Sequence, residues 1–284
     1  MIPTSFDYAR ATSLDDAIAK LGASGGSAKL VAGGHSLIPL MKLRLSEPTT
    51  LIDIARIPGL AGIKEKDGKI EIGAATTHYA VASSALLRDK CAALAETAET
   101  IGDPQVRNRG TLGGSLAHAD PAADYPAVLL ALDAEIHIKG KGGWRAVKAS
   151  DFFQGLFTVN LQPDEIIAGV HVKPQKAAAY AKLHQRASHF AIVGVAAALE
   201  VSGGNISAAR VGLTGASTHA MRLSNVEAAL AGKPLSDATI AAAAAVAGDG
   251  LEDLNSDIHA SADYRRQMIK VFTRRALEGA RARV

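Results

Sequence analysis

Residues 109–127 read RGTLGGSLAHADPAADYPA, and the fold turns on what the pair Gly113-Gly114 does there. Glycines, small hydroxyl residues, two aspartates and two prolines suit neither a helix interior nor a strand, so the stretch is expected to be a loop. A sister motif lies some eighty residues earlier, where Lys29-Leu30-Val31-Ala32, a short buried strand by composition, runs straight into Gly33-Gly34-His35-Ser36. Paired glycines let the backbone turn through positive φ and aim successive N–H groups into one concavity, an arrangement that holds an anion such as a diphosphate. The hydroxyls of Ser36, Thr111 and Ser115 add donors. A glycine pair alone is commonly a plain turn; two with matching hydroxyls point further. Neither fits a common nucleotide fingerprint, because GxGxxG is missing from the first strand–turn–helix and GxxxxGK[ST] occurs nowhere.

Working outward, Ser13-x-x-Asp16 opens an apolar series (Leu14, Ala17, Ile18, Leu21) at helical spacing that Gly22 stops. Residues 37–45 predict a second helix. Residues 62–66 and 69–73 flank Asp67-Gly68, a two-residue hairpin signal, and Thr77 caps a helical stretch. Residues 85–100 are helical in composition. Residues 134–138 and 144–147 alternate around KGKGG as another hairpin, and EIIAGVHVK at 165–173 is a strand ended by Pro174. Beyond this the texture changes to two long strands, 191–201 and 206–214, followed by alanine-rich helices at about 224–247 and 262–281. The expected division is residues 1–176 and 177–284.

A chain of 284 residues exceeds the usual single-domain size, which agrees with two domains. Hydrophobic residues make up 48% and charged ones 21%, and no apolar run reaches the roughly 18 residues that span a bilayer. The N-terminus lacks the layout of a secretory signal, so a cytoplasmic location is expected, with no membrane insertion. The single Cys91 precludes an intrachain disulfide, a CxxC zinc site and a cysteine-ligated iron–sulfur cluster, and its apolar surroundings mark it as a buried structural thiol. Net charge is only +3 and aromatics 4%, which argues against nucleic-acid binding. His118, Asp120 and Asp124 could mimic a metal trio, but a loop with two prolines defines no ligand geometry, and no metal site is expected. No nucleophile stands beside an organised base, and GxSxG is absent, so no catalytic residues are assigned. Arg107 and Arg109 flank the second glycine pair, either as solvated charges or as contacts for a phosphate or a partner's acidic surface.

Three blocks, AGGHSLIPLMKLRL at 32–45, IGDPQVRNRGTLGGSLAHADPAADYPA at 101–127 and YAKLHQRASHFAIVGVAAALEV at 180–201, closely resemble the FAD-binding medium subunit of molybdenum hydroxylases. The resemblance extends over essentially the whole chain. It implies an α+β fold: an FAD-binding domain of the vanillyl-alcohol oxidase (PCMH) type with two subdomains, then a C-terminal α+β domain with an antiparallel sheet and helices. By this similarity Val31, Ala32, Gly33, Gly34, His35 and Ser36, with Thr111, Leu112, Gly113, Gly114 and Ser115, form the diphosphate cradle. Ile101 lies along the cofactor, Asp124 hydrogen-bonds it, Lys182 and Phe190 stand near the flavin ring, and Ile167 is an apolar wall. Ser115 occupies a position where many members carry Asn, and His189 one where many carry Asp, which leaves the flavin's surroundings less acidic.

The resemblance further implies an oxidoreductase subunit that carries FAD and transfers electrons. The molybdenum cofactor would reside in a large partner subunit and [2Fe-2S] clusters in a small one, the whole forming a dimer of heterotrimers. The flavin would pass the electrons to an external acceptor. Two other readings stay open at this level: a stand-alone flavoprotein oxidoreductase with its own small substrate, for which Lys182 with His184 or His189 would be the polar group over the ring, and a non-redox nucleotide-binding module.

Overall fold

The computed structural model describes residues 1–284. Three short strands, β1 (Asp7–Arg10), β2 (Ala28–Val31) and β3 (Thr50–Asp53), form a parallel sheet in the order β1-β3-β2. The helix Leu14–Ala23 makes the first crossover. Ser13 caps it by accepting from the Asp16 N–H, as the Ser-x-x-Asp spacing predicts.

A second sheet follows. β4 (Ile63–Lys66), β5 (Lys69–Gly73), β6 (Glu135–Gly140), β7 (Gly143–Lys148), the small pair β8 (Phe153–Gly155) and β9 (Thr158–Val159), and β10 (Ile166–Val172) come in chain order, and β10 inserts to give β4-β5-β10-β6-β7. Both sequence-predicted hairpins are present, the first around Asp67 and Gly68, which take φ of 50° and 72°. Ile70, Ile72, Ile136, Ile138, Val170 and Val172 alternate toward the core, and the intervening polar residues face outward. The third sheet is antiparallel, β11 (Ala178–His184), β12 (Ala191–Ser202), β13 (Asn205–Thr214) and β14 (Met221–Arg222) in that order, covered by the helix Ala262–Arg281. The fold class is therefore α+β. One core cluster gathers mainly residues before 176, and a second runs from Ala179 to Ala280.

Several local expectations need correction. Residues 109–127 are not a continuous loop: Leu112–His118 is a helix, with Thr111 as its cap, and Tyr125–Ala131 is another. Pro126 falls in the first turn of the latter, where its missing N–H costs nothing. Of the four paired glycines only Gly34 takes positive φ, at 74°. Residues 85–100 break at Cys91, whose φ of −155° and ψ of 56° end one helix and start the next. The alanine-rich stretch 224–247 divides into Ser224–Leu230 and Asp237–Ala245, on either side of Gly232 and Pro234. β1, β3 and β11 carried no periodic signal strong enough to be read, being short or only partly buried.

Candidate functional site

Where β2 ends, the chain turns through 32–36 and enters the short helix Leu37–Lys42. This turn forms one wall of a cleft of about 1100 Å³. Helix Leu112–His118 presents Gly113, Gly114 and Ser115 to it, β10 supplies Ile166 and Ile167, and Ser188, His189 and Phe190 reach in from the C-terminal part. The volume lies at the top of the range for small-molecule sites, which suits a dinucleotide.

The two glycine motifs touch. A Cβ built on Gly33 would lie 2.2 Å from the Arg109 carbonyl oxygen, so only a bare Cα permits the approach. The backbone N–H groups of Gly33, Gly34, His35 and Ser36 donate to no backbone or side-chain acceptor in the protein. Four consecutive amides at the wall of a cleft are an anion-binding concavity. His35 turns its Nδ1 back to the Gly33 carbonyl at 3.0 Å, which steadies the turn.

The second motif works differently from the expectation that both loops offer amides. The Leu112 N–H donates to Thr76 O, Gly113 N–H to Ala74 O, Gly114 N–H to Thr111 Oγ1 and Ser115 N–H to Thr111 O. These donors are already committed. Gly113 instead permits close packing, since a Cβ there would sit 2.5 Å from the Ala74 Cβ, and a Cβ on Gly114 would sit 2.8 Å from the Thr111 hydroxyl. Lys29 is the single Lys or Arg lining the cleft. An anion there is met by backbone dipoles rather than by an array of cations.

Val31, Ala32, Gly33, Gly34, His35, Ser36, Ile101, Thr111, Gly113, Gly114, Ser115, Asp124, Ile167 and Phe190 all line this cleft. Leu112 and Lys182 do not. Leu112 is wholly buried in the first core. Lys182 lies behind Asp124: its Nζ donates to both Asp124 oxygens at 2.9 and 3.0 Å and to Thr100 O at 2.9 Å. Tyr180 donates its hydroxyl to Asp124 Oδ1 at 2.5 Å. Burial pushes the Asp124 carboxyl up, while the Lys182 ammonium and the Tyr180 hydroxyl pull it down. Asp124 is thus fixed in position by two strand residues of the following sheet.

Sequence reasoning missed Tyr180, Thr100 and His78. His78 sits below the second motif, its N–H donating to Gly110 O at 2.9 Å and its Nδ1 3.1 Å from the Tyr125 hydroxyl. Burial lowers its pKa to about 4, so the ring is neutral. A signal existed for this residue, since Thr77 was legible as a cap and the next side chain must lie in the first turn. Tyr180 and Thr100 carried none, because their roles come from strand pairing and a main-chain carbonyl. Arg107 is no solvated charge: its Nη1 donates to Ile101 O and Gly102 O at 3.1 and 2.9 Å and braces the turn that offers Ile101.

Free amides, bare glycines, a polar Ser36/Thr111/Ser115 rim and apolar walls fit FAD, whose diphosphate needs the first and whose ring and ribityl need the rest. Residues 4–176 match the family model described as the FAD binding domain in molybdopterin dehydrogenase, and residues 178–280 that of the CO dehydrogenase flavoprotein C-terminal domain. The chain is 39% identical to the carbon monoxide dehydrogenase medium chain of Hydrogenophaga pseudoflava, covering 100% of this chain and 99% of that one. It is 40% identical to the 6-hydroxypseudooxynicotine dehydrogenase complex subunit alpha of Paenarthrobacter nicotinovorans, covering 99% and 96%. The solved carbon monoxide dehydrogenase of H. pseudoflava superposes with a TM-score of 0.95 at 41% identity over 100% of this chain and 99% of that one. Quinoline 2-oxidoreductase of Pseudomonas putida 86 gives 0.93 at 33%, covering 99% of each chain. Sequence, fold and cleft agree along the whole length, and the chain belongs to the FAD-binding medium subunits of molybdenum hydroxylases, oxidoreductase components that bind FAD and leave the molybdenum and iron–sulfur centres to other subunits.

Proposed function

We propose that this chain receives electrons from a small iron–sulfur subunit, fed in turn by a large molybdenum subunit that oxidises the substrate, and that its FAD passes them to an external acceptor. The observation that carries this reading is the set of four unpaired amides at Gly33–Ser36 on the wall of the cleft. When bound, FAD supplies redox chemistry that links one-electron and two-electron carriers. The chain itself supplies grip and orientation. Gly33–Ser36 would hold the diphosphate, Gly113 and Gly114 would let it approach, Asp124 would accept from a cofactor hydroxyl, and Ile101, Ile167 and Phe190 would flank the flexible chain and the ring. Lys182 and Tyr180 fix Asp124, so Lys182 acts as a positioning residue. The dimer of heterotrimers is proposed on the family likeness, as is a cytoplasmic location. No helix is long and apolar enough to cross a membrane. Relatives named for carbon monoxide, pseudooxynicotine and quinoline share this architecture, so the substrate is set outside this chain.

The test is reconstitution. The purified chain should carry one FAD per polypeptide and show no turnover alone; addition of its molybdenum and iron–sulfur partners with substrate should bleach the flavin absorption under anaerobic conditions. Turnover by the isolated chain supports the self-contained oxidoreductase instead. Gly114→Val should lose most of its FAD, because a Cβ there meets the Thr111 cap hydroxyl at 2.8 Å on the cleft wall, and normal flavin content in that variant counts against the placement.

A further inference from the structure

On the outer face of the five-stranded sheet, away from the cleft, β6 and β10 bring Glu135, His137 and His171 together. His171 pairs with Glu135 in the register, and His137 with Gly169, so the three side chains stand on one face of two adjacent strands. The two imidazoles stack with centroids 3.6 Å apart. One ligand atom from each of the three residues lies within 4.8 Å of the other two. His137 Nε2 is buried and has no hydrogen-bond partner, one of only three such side-chain atoms in the chain. A buried ring nitrogen left unpaired is costly, and Glu135 Oε2 at 3.8 Å stands beyond hydrogen-bond reach of it, which calls for an occupant that the protein does not provide.

We propose that Glu135, His137 and His171 form a binding site for a divalent transition-metal ion, zinc foremost, that ties β6 to β10. Two imidazole nitrogens and one carboxylate oxygen are a common donor set for zinc, with a fourth position open to water. Tetrahedral coordination at about 2.0–2.1 Å puts ligand atoms roughly 3.3 Å apart. The charge surroundings permit it. Lys69 Nζ holds Glu135 Oε2 at 2.6 Å but is itself partly exposed, so it can share the carboxylate or swing into water at little cost. Glu71, which pairs with His171 from β5, adds negative charge beside the site while bound to Lys64 at 3.1 Å.

The test uses the full-length chain with its FAD, stripped of metal with a chelator that is then removed. Titration with zinc chloride by calorimetry should show one saturable equivalent per chain, and cobalt chloride should give the visible absorption of a low-symmetry four- or five-coordinate ion. The variant His137→Gln/His171→Gln should weaken zinc binding by more than about tenfold, beyond the loss of an outer partner. Its FAD content and circular dichroism should match wild type, since neither ring is in the core. Lys69→Met should tighten binding by freeing Glu135. His219→Gln/His259→Gln, elsewhere in the chain, should bind as wild type does. Absence of saturable binding to wild type, or binding that survives the 137/171 double substitution, overturns the proposal.

Discussion

At the scale of single residues, the cleft depends on buried polar groups whose partners are few. His78 is the clearest. Its folded pKa of about 4 lies below the unfolded value of 6.5, so the unfolded chain binds the extra proton first and stability falls as pH drops through that interval. The stabilisation is fully present above pH 6.5 and declines toward pH 4. Between pH 7 and pH 5 the loss from this residue should be about 2 kcal/mol, and His78→Gln should remove that part of the pH dependence in urea-unfolding curves recorded at both values. Tyr180→Phe removes the 2.5 Å bond to Asp124 and leaves Lys182 as its sole side-chain partner. The expected cost is about 1–3 kcal/mol by denaturant titration, together with weaker FAD retention on dilution.

At the scale of elements, contacts that admit no Cβ set how strands, turns and helices meet. Gly33→Ala would drive a methyl into the Arg109 carbonyl, so the two glycine motifs must part. We expect a loss of about 1–3 kcal/mol and a flavin-to-protein absorbance ratio well below wild type. Gly212 on β13 meets helix Tyr125–Ala131 in the same way, a Cβ there falling 2.1 Å from the Ala127 carbonyl oxygen. Gly212→Ala should lift that helix, and with it Asp124, from the sheet; protease sensitivity near residues 120–131 with lowered FAD content would register it. A normal digestion pattern and full flavin content in Gly212→Ala would show that the contact is easily relieved.

At the scale of the whole molecule, the two sequence-defined parts are not independent. All seven residues of helix Tyr125–Ala131 are buried, and β13 and β12 are among the elements that cover it. Thr214 donates its hydroxyl toward Pro121 O and Ala123 O at 3.0 and 2.6 Å, and Arg283 grips Glu96 through two bonds of 2.8 Å. Asp124 takes both its side-chain partners from β11. A fragment ending at residue 176 should therefore aggregate on size-exclusion chromatography and hold no FAD. A monodisperse, flavin-bearing fragment would refute this coupling and would establish residue 176 as the end of a self-sufficient domain.

What the sequence determined by itself was local. Caps at Ser13 and Thr77, the Asp67-Gly68 turn and the alternating isoleucines of β5 and β6 are fixed by interactions spanning a few residues, and so they were readable. The glycine pairs were legible as a motif, but their division of labour was not: an amide is a free donor only if no carbonyl elsewhere claims it, and Thr76 and Ala74 claim those of Leu112 and Gly113. The resemblance places Lys182 near the flavin ring, and the pairing of β11 with β12 and the carbonyl of Thr100 set it behind Asp124. His137 and His171 lie on two separate sequence-predicted strands, and only the insertion of β10 beside β6 brings them together. Strand order and register arise from the burial of whole sheets, and no short window of sequence contains that energy, so only the tertiary structure could decide which polar groups meet.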